Sequence, residues 1–146
     1  MKKQIELMNE YVADLAVLNV KFHNLHWNVV GQAFNQVHVH LENVYDDLFE
    51  KYDEVAERIK MLGYYPKASL KSYIDTSSIS ELGETDIQIK DAFKIALESI
   101  EALKQRAIDI HTIADKNNDF VTVAMIEDHI AGYDKEIWFL KAALKA

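Results

Sequence analysis

Apolar residues recur at steps of three, four and seven along most of the chain, the period of amphipathic helices. Ile5, Met8, Val12, Leu15, Phe22 and Val29 predict a first helix over about residues 4–30, with Gly31 as its stop. Val37, Leu41, Val44, Leu48, Val55, Ile59 and Leu62 predict a second, ended by Gly63 with Pro66 beyond it. Ile89, Phe93, Ala96, Ile100, Leu103, Ala107, Ile110 and Ala114 alternate steps of four and three in a third, for which Thr85 and Gln88 suggest a capping box. Val123, Ile126, Ile130, Tyr133, Ile137, Leu140 and Leu144 mark a fourth, with Asn118 or Asp119 as its cap. Four long amphipathic helices in one chain predict an all-α four-helix bundle, a single domain spanning residues 1–146. The link between the second and third helices, roughly residues 64–84, is far longer than an antiparallel hairpin needs. It lets the chain cross the bundle, which is ferritin-like connectivity, and Ser69 to Ile74 within it suggest one short helix.

The second helix departs from a plain amphipathic pattern. At about 100° per residue, its apolar set falls within about 40° of Val37. A second set lies roughly 60° to 200° away: Tyr52, Tyr45, His38, Ala56, Phe49, Glu42, Asp53 and Glu57. Aromatics among acids and a histidine indicate a partner surface with a polar site inside it. His38 and Glu42 are four apart and share a face, as do Asp53 and Glu57. His38 and Asp53, however, are fifteen residues apart, about 22 Å along a helix. Ligand bonds of about 2.0–2.2 Å cannot bridge that span within one chain. Two copies of the helix packed antiparallel about a two-fold axis bring His38 of one near Asp53 of the other, giving two equivalent sites. His26 joins His38 if the first two helices form a hairpin. His40 is expected on the surface. His23 is read as a supporting or core residue, and His111 and His129 lack an evident partner set.

Composition narrows the chemistry. There is no cysteine, which excludes disulfide scaffolds, thiolate metal sites and cysteine nucleophiles. No Glu precedes any His by three residues, which disfavours the Glu-x-x-His di-iron centre inside a single bundle. Histidine and carboxylate donors suit Fe(II), with Zn(II) or Mn(II) as substitutes. A net charge of −8 opposes nucleic acid and anionic membranes and favours cations. No run of about 18 apolar residues is present and no apolar run follows the two N-terminal lysines, so the expected location is cytoplasmic.

At these residues the chain resembles the Dps (miniferritin) family. The shared pattern reads His23, His26, Trp27, Gly31, Phe34, Val37 and His38, then Asp53-Glu54-Val55-Ala56-Glu57-Arg58, then Leu70-Lys71-Ser72-Tyr73-Ile74 and Ile137-Trp138. The resemblance implies a hollow dodecamer with iron sites at two-fold interfaces. It implies that His26 and His38 come from one subunit, Asp53 and Glu57 from its partner, and that Glu42 assists. The implied activity is a ferroxidase that oxidises Fe(II) with hydrogen peroxide in preference to dioxygen, stores ferric mineral and limits oxidative damage. Trp27 would take up oxidising equivalents. The family's acidic three-fold pore lies near the start of the fourth helix, where Asp119, Glu127 and Asp128 stand. Family members that bind DNA often carry a Lys/Arg-rich tail, whereas only Lys2 and Lys3 precede the first helix here, so direct DNA binding is not expected. The alternatives are a DNA-binding, nucleoid-protecting protein of the same shape and a non-catalytic metal-binding shell.

Overall fold

A computed structural model describes residues 1–145. Helix α1 spans Lys2–Asn28, α2 Phe34–Met61, α3 Leu70–Thr76, α4 Ile89–Lys116 and α5 Phe120–Leu144. The apolar stripes read from the sequence are the core. Met8, Leu15 and Phe22 of α1, Leu41, Leu48 and Val55 of α2, Ile100 and Leu103 of α4, and Ile126 and Leu140 of α5 are all buried. Helices α1 and α2 pack as one hairpin and α4 and α5 as another, with α1 lying against α4.

Two short strands, β1 (Val29–Val30) and β2 (Ile87–Gln88), pair in parallel, Val29 against Ile87 and Val30 against Gln88. The pairing sets the end of α1 beside the start of α4. Because α2 runs back from that end, the link from α2 to α4 must travel the length of the bundle. The pairing also corrects one expectation. Gln88 is extended backbone at the head of α4 and makes no side-chain cap, so the Thr85–Gln88 box does not form. The backbone bonds of Ile87 and Gln88 go to β1 instead.

Polar residues on α1 hold the crossing in place. The Asn9 amide donates to the Tyr65 carbonyl, and its oxygen accepts from the Lys67 N–H at 2.7 Å. Buried Asp14 accepts from the Ser77 hydroxyl at 2.7 Å, the Ser78 N–H at 3.0 Å and Arg106. Lys21 donates to the Ser80 carbonyl, 2.6 Å, and Asn24 to that of Gly83. The expected short helix forms as α3, and a capping box of Ser69 and Ser72 opens it.

At the opposite end from β1, Asp119 caps α5, while Asn118 takes a positive φ of 54° just before it. The Asp119 carboxylate accepts from Thr122 N–H, from Gln4 at 2.7 Å and from the Arg58 guanidinium at 2.6 Å. Burial opposes its ionisation, but the bonds from Thr122, Gln4 and Arg58 outweigh burial and hold its pKa below the ordinary value. Asp119 therefore serves the interior of the subunit, which removes it from the acids expected to line a pore.

A folded pKa below the unfolded one stabilises the protein above about pH 3.9, and the contribution is lost as pH falls through the lower folded value. Asp119→Ala removes both the cap and the partner of a largely buried Arg58, and should lower unfolding stability by about 2–4 kcal/mol. Asp119→Asn keeps a capping oxygen and should cost less, while flattening the acid limb of the stability curve. Chemical denaturation across the acid range checks both; an unchanged acid limb in Asp119→Asn would remove this residue from the account.

Candidate metal centre

The α1–α2 turn decides the site's geometry. Gly31 has φ of 141°, a backbone angle that calls for glycine, and a Cβ at this position would lie 2.9 Å from Cδ1 of Ile89, so that side-chain tip would have to shift as well. The turn brings His26, near the end of α1, against His38, one turn into α2. The two rings stack with centroids 3.6 Å apart and planes 11° from parallel.

Each ring is tied to the other's backbone. His26 Nδ1 lies 2.6 Å from the His38 carbonyl, and His38 Nδ1 lies 2.7 Å from the His26 carbonyl. A carbonyl can only accept, so both Nδ1 atoms must carry protons. In neutral imidazoles both Nε2 atoms then hold free lone pairs, the tautomer that metal ligation needs. The Glu42 carboxylate, exposed on α2, comes within 3.9 Å of His26 Nε2.

Aromatic residues brace this pair. Phe34 stacks on His38 with centroids 5.0 Å apart. Tyr45 meets His26 edge-on, and its hydroxyl donates to Glu42 at 3.3 Å. His23 stacks on Tyr45 at 3.6 Å and gives its Nδ1 proton to the Asn19 carbonyl, while Asn19 donates to the Tyr45 carbonyl. His23 is half-buried and braces Tyr45. Trp27 is 66% exposed beside it.

Asp53 and Glu57 are exposed on the same helix, toward its other end. Among the described residues of one chain, no group of three His, Asp or Glu side chains is placed to hold a metal ion. His26, His38 and Glu42 gather at one end of α2, and Asp53 and Glu57 stand apart from them. Between the two sets, Tyr45 and Tyr52 are half-buried and Phe49 is 58% exposed.

The remaining histidines each find a carboxylate that spacing alone did not reveal. His40 is not a free surface residue. It pairs with Glu136 at 2.8 Å and stacks on Phe139, because α5 packs over that side of α2. His111 pairs with Glu127, and buried His129 with Glu54. These partners lie on other helices, so spacing along one helix could not pair them.

A family model described as a ferritin-like domain matches residues 5–146. The DNA protection during starvation protein of Helicobacter pylori is 37% identical over 97% of this chain and 99% of its own length. The chain belongs to the ferritin-like family, in its Dps branch. The crystal structure of antigen TpF1 from Treponema pallidum superposes with a TM-score of 0.98 at 37% identity, covering 99% of this chain and 93% of that one. The Vibrio cholerae Dps structure, described as a member of a broad superfamily of ferritin-like diiron-carboxylate proteins, gives 0.94 at 31% identity, covering 99% and 90%. Membership places the chain among proteins of iron storage and oxidative protection, and the bundle with its crossing helix is the family's fold. No helix among the described residues is long and apolar enough to cross a membrane.

The reciprocal hydrogen bonds have a direct spectroscopic consequence. With 15N-labelled histidine, solid-state NMR of the assembled protein should show His26 and His38 protonated at Nδ1 and bare at Nε2. Added Zn(II) should shift the Nε2 resonances and leave the Nδ1 protons in place. Bare Nδ1 atoms would show the assigned pairing to be wrong.

Proposed function

We propose that this protein is a ferroxidase whose iron site is shared by two subunits across a two-fold axis. His26, His38 and Glu42 come from one subunit, and Asp53 and Glu57 from its partner. The observation that carries the reading is the reciprocal hydrogen bonding of His26 and His38, which leaves Nε2 of each neutral ring free, with the Glu42 carboxylate 3.9 Å from that of His26. Asp53 and Glu57 supply the missing carboxylates only through an antiparallel copy of α2, about 22 Å of helix separating them from His38. Tyr45, Phe49 and Tyr52 lie on the strip that such a copy would cover.

The substrates are Fe(II) and hydrogen peroxide, with peroxide preferred over dioxygen. Neutral imidazoles accept Fe(II), and carboxylates favour the harder Fe(III) product. Two Fe(II) ions give one electron each to peroxide, whose O–O bond breaks to two waters with uptake of two protons. No hydroxyl radical leaves the reaction. Ferric product collects as mineral inside a hollow dodecamer in the cytoplasm, and Zn(II) or Mn(II) can occupy the same donors. Protection of DNA then comes from removing both Fenton reagents rather than from binding: a net charge of −8 opposes phosphate contacts. Plasmid DNA should give no gel shift at neutral pH and physiological salt without bridging metal; a clear shift would favour the DNA-binding alternative.

The shared site is tested by mixing. His38→Ala and Asp53→Ala should each assemble and oxidise Fe(II) slowly, because each removes a direct ligand. A dimer pairing one chain of each kind has one doubly damaged site and one intact site. It should recover about half of wild-type activity if the two sites act independently. Mixed dimers that assemble but regain nothing, or soaked crystals with iron held by one chain, would rule out the shared site. An intact protein that oxidises no Fe(II) with peroxide or air would leave the non-catalytic shell.

A further inference from the structure

A second polar cluster lies inside the bundle, and the iron chemistry above does not use it. Tyr11 of α1 and Tyr133 of α5 are 0% and 2% exposed, and their hydroxyls are hydrogen-bonded to each other. The Tyr11 hydroxyl also lies 2.9 Å from Nδ1 of His129. Nε2 of the same imidazole lies 2.8 Å from a carboxylate oxygen of Glu54, whose side chain reaches the surface.

Chemistry fixes the direction of every bond. The carboxylate accepts, so His129 carries its proton on Nε2 and Nδ1 is the acceptor. Tyr11 must then donate to Nδ1, and Tyr133 to the Tyr11 oxygen. A single ordered chain runs from Tyr133 through Tyr11 and His129 to Glu54. Burial raises the pKa of both phenols and lowers that of His129, so all three are neutral near pH 7.

A neutral phenol loses an electron readily only when its proton can leave at the same time, because its radical cation is a strong acid. Among the described residues, Tyr11 alone of the tyrosines has an imidazole on its hydroxyl. Tyr52 and Tyr73 also pair, at 2.6 Å, but with no such base. We propose that Tyr11 is a redox site, with His129 as its proton acceptor, that fills one-electron holes arriving from oxidised surface residues.

In the step, Tyr11 gives one electron to a one-electron oxidant such as the indole radical cation of oxidised Trp138, which returns to neutral indole. The Tyr11 O–H bond breaks and an N–H bond forms at His129 Nδ1. The products are a neutral phenoxyl, held by hydrogen bonds from Tyr133 and His129, and an imidazolium facing Glu54. Trp138 is 68% exposed and shares with Tyr133 the lining of a cavity of about 240 Å³ between α2 and α5, which gives the hole an aromatic entry. The use of this site against holes escaping from iron oxidation rests on the proposed function; the electron transfer itself does not.

The test therefore adds no iron. The assembled protein is oxidised by flash photolysis with tris(bipyridine)ruthenium(II) and persulfate, then frozen for electron paramagnetic resonance. A tyrosyl signal should form, and deuterium exchange should reveal two exchangeable hydrogen bonds to its oxygen. Tyr11→Phe should remove this hydrogen-bonded signal, and His129→Gln should slow its formation by about tenfold or more, equivalent to about 1.4 kcal/mol in the barrier. A signal unchanged in Tyr11→Phe overturns the proposal. So does a wild-type radical with no exchangeable hydrogen bond, a measurement that decides the matter even if the variants misfold. Failure here alongside active Fe(II) oxidation would sink this site and leave the ferroxidase reading standing.

Discussion

Two hydrogen bonds close the α1–α2 hairpin, each running from an imidazole to the backbone carbonyl of the other imidazole's residue. Together they do two things at once. Both bonds hold a proton on Nδ1 and so keep Nε2 of the neutral ring free. The bond from His38 also satisfies the His26 carbonyl, one of the last four of α1, which lack partners inside the helix. The arrangement works only because the chain turns within a few residues, and that turn rests on Gly31, where a side chain would meet both an unfavourable φ and Ile89. The β1–β2 pairing then anchors the turn to the head of α4. Glycine, strand pair and imidazoles form one unit, and the fixed orientation of the two rings is its output.

The crossing is arranged so that the outer face of α2 stays largely open. Asn9, Asp14, Lys21 and Asn24 fall along one side of α1 and bind the crossing's backbone and serines at successive heights. Their polarity would be unexplained on a helix packed only against other helices. Lys21 illustrates the cost: burial lowers its pKa, yet its ammonium finds the Ser80 carbonyl. With the crossing drawn onto α1, the long link meets α2 at Tyr73, whose hydroxyl bonds that of Tyr52, and at Tyr65, whose ring lies under the Lys60 ammonium. His38, Glu42, Asp53 and Glu57 are left uncovered by it.

Legibility in the sequence followed the range of the interaction. Helix stripes, the Asp119 cap and the short α3 could be read because periodicity and capping are local. The pairing of His26 with His38 followed from treating two adjacent helices as a hairpin. The reciprocal bonds to carbonyls did not, since backbone acceptors carry no residue-type signature. The Thr85–Gln88 box failed because a strand partner 58 residues away, Val30, competed for that backbone. His40 and His129 were misjudged for a similar reason. Their partners, Glu136 and Glu54, lie on other helices, and only packing reveals them. Tyr133 stood on the core stripe with a hydroxyl that a buried position must satisfy, and that was the one available signal of the interior network.

The interior network also bears on where metal chemistry can occur in this bundle. A divalent cation placed among Tyr11, His129 and Glu54 would meet Lys51, itself only 9% exposed, with its ammonium 5.4 Å from the ring of Tyr133 and paired with Asp47. Repulsion between an ammonium and a divalent ion is strong where little water screens it. The bundle thus already carries an ion pair of its own at this place, and its tyrosines and His129 are already engaged in a hydrogen-bond chain. Moving the ligands outward to α2 relieves both conflicts, but a single helix face cannot surround an ion. The proposed shared site answers this with a second subunit, and the separation of His38 from Asp53 along α2 gives the register in which an antiparallel copy would close it.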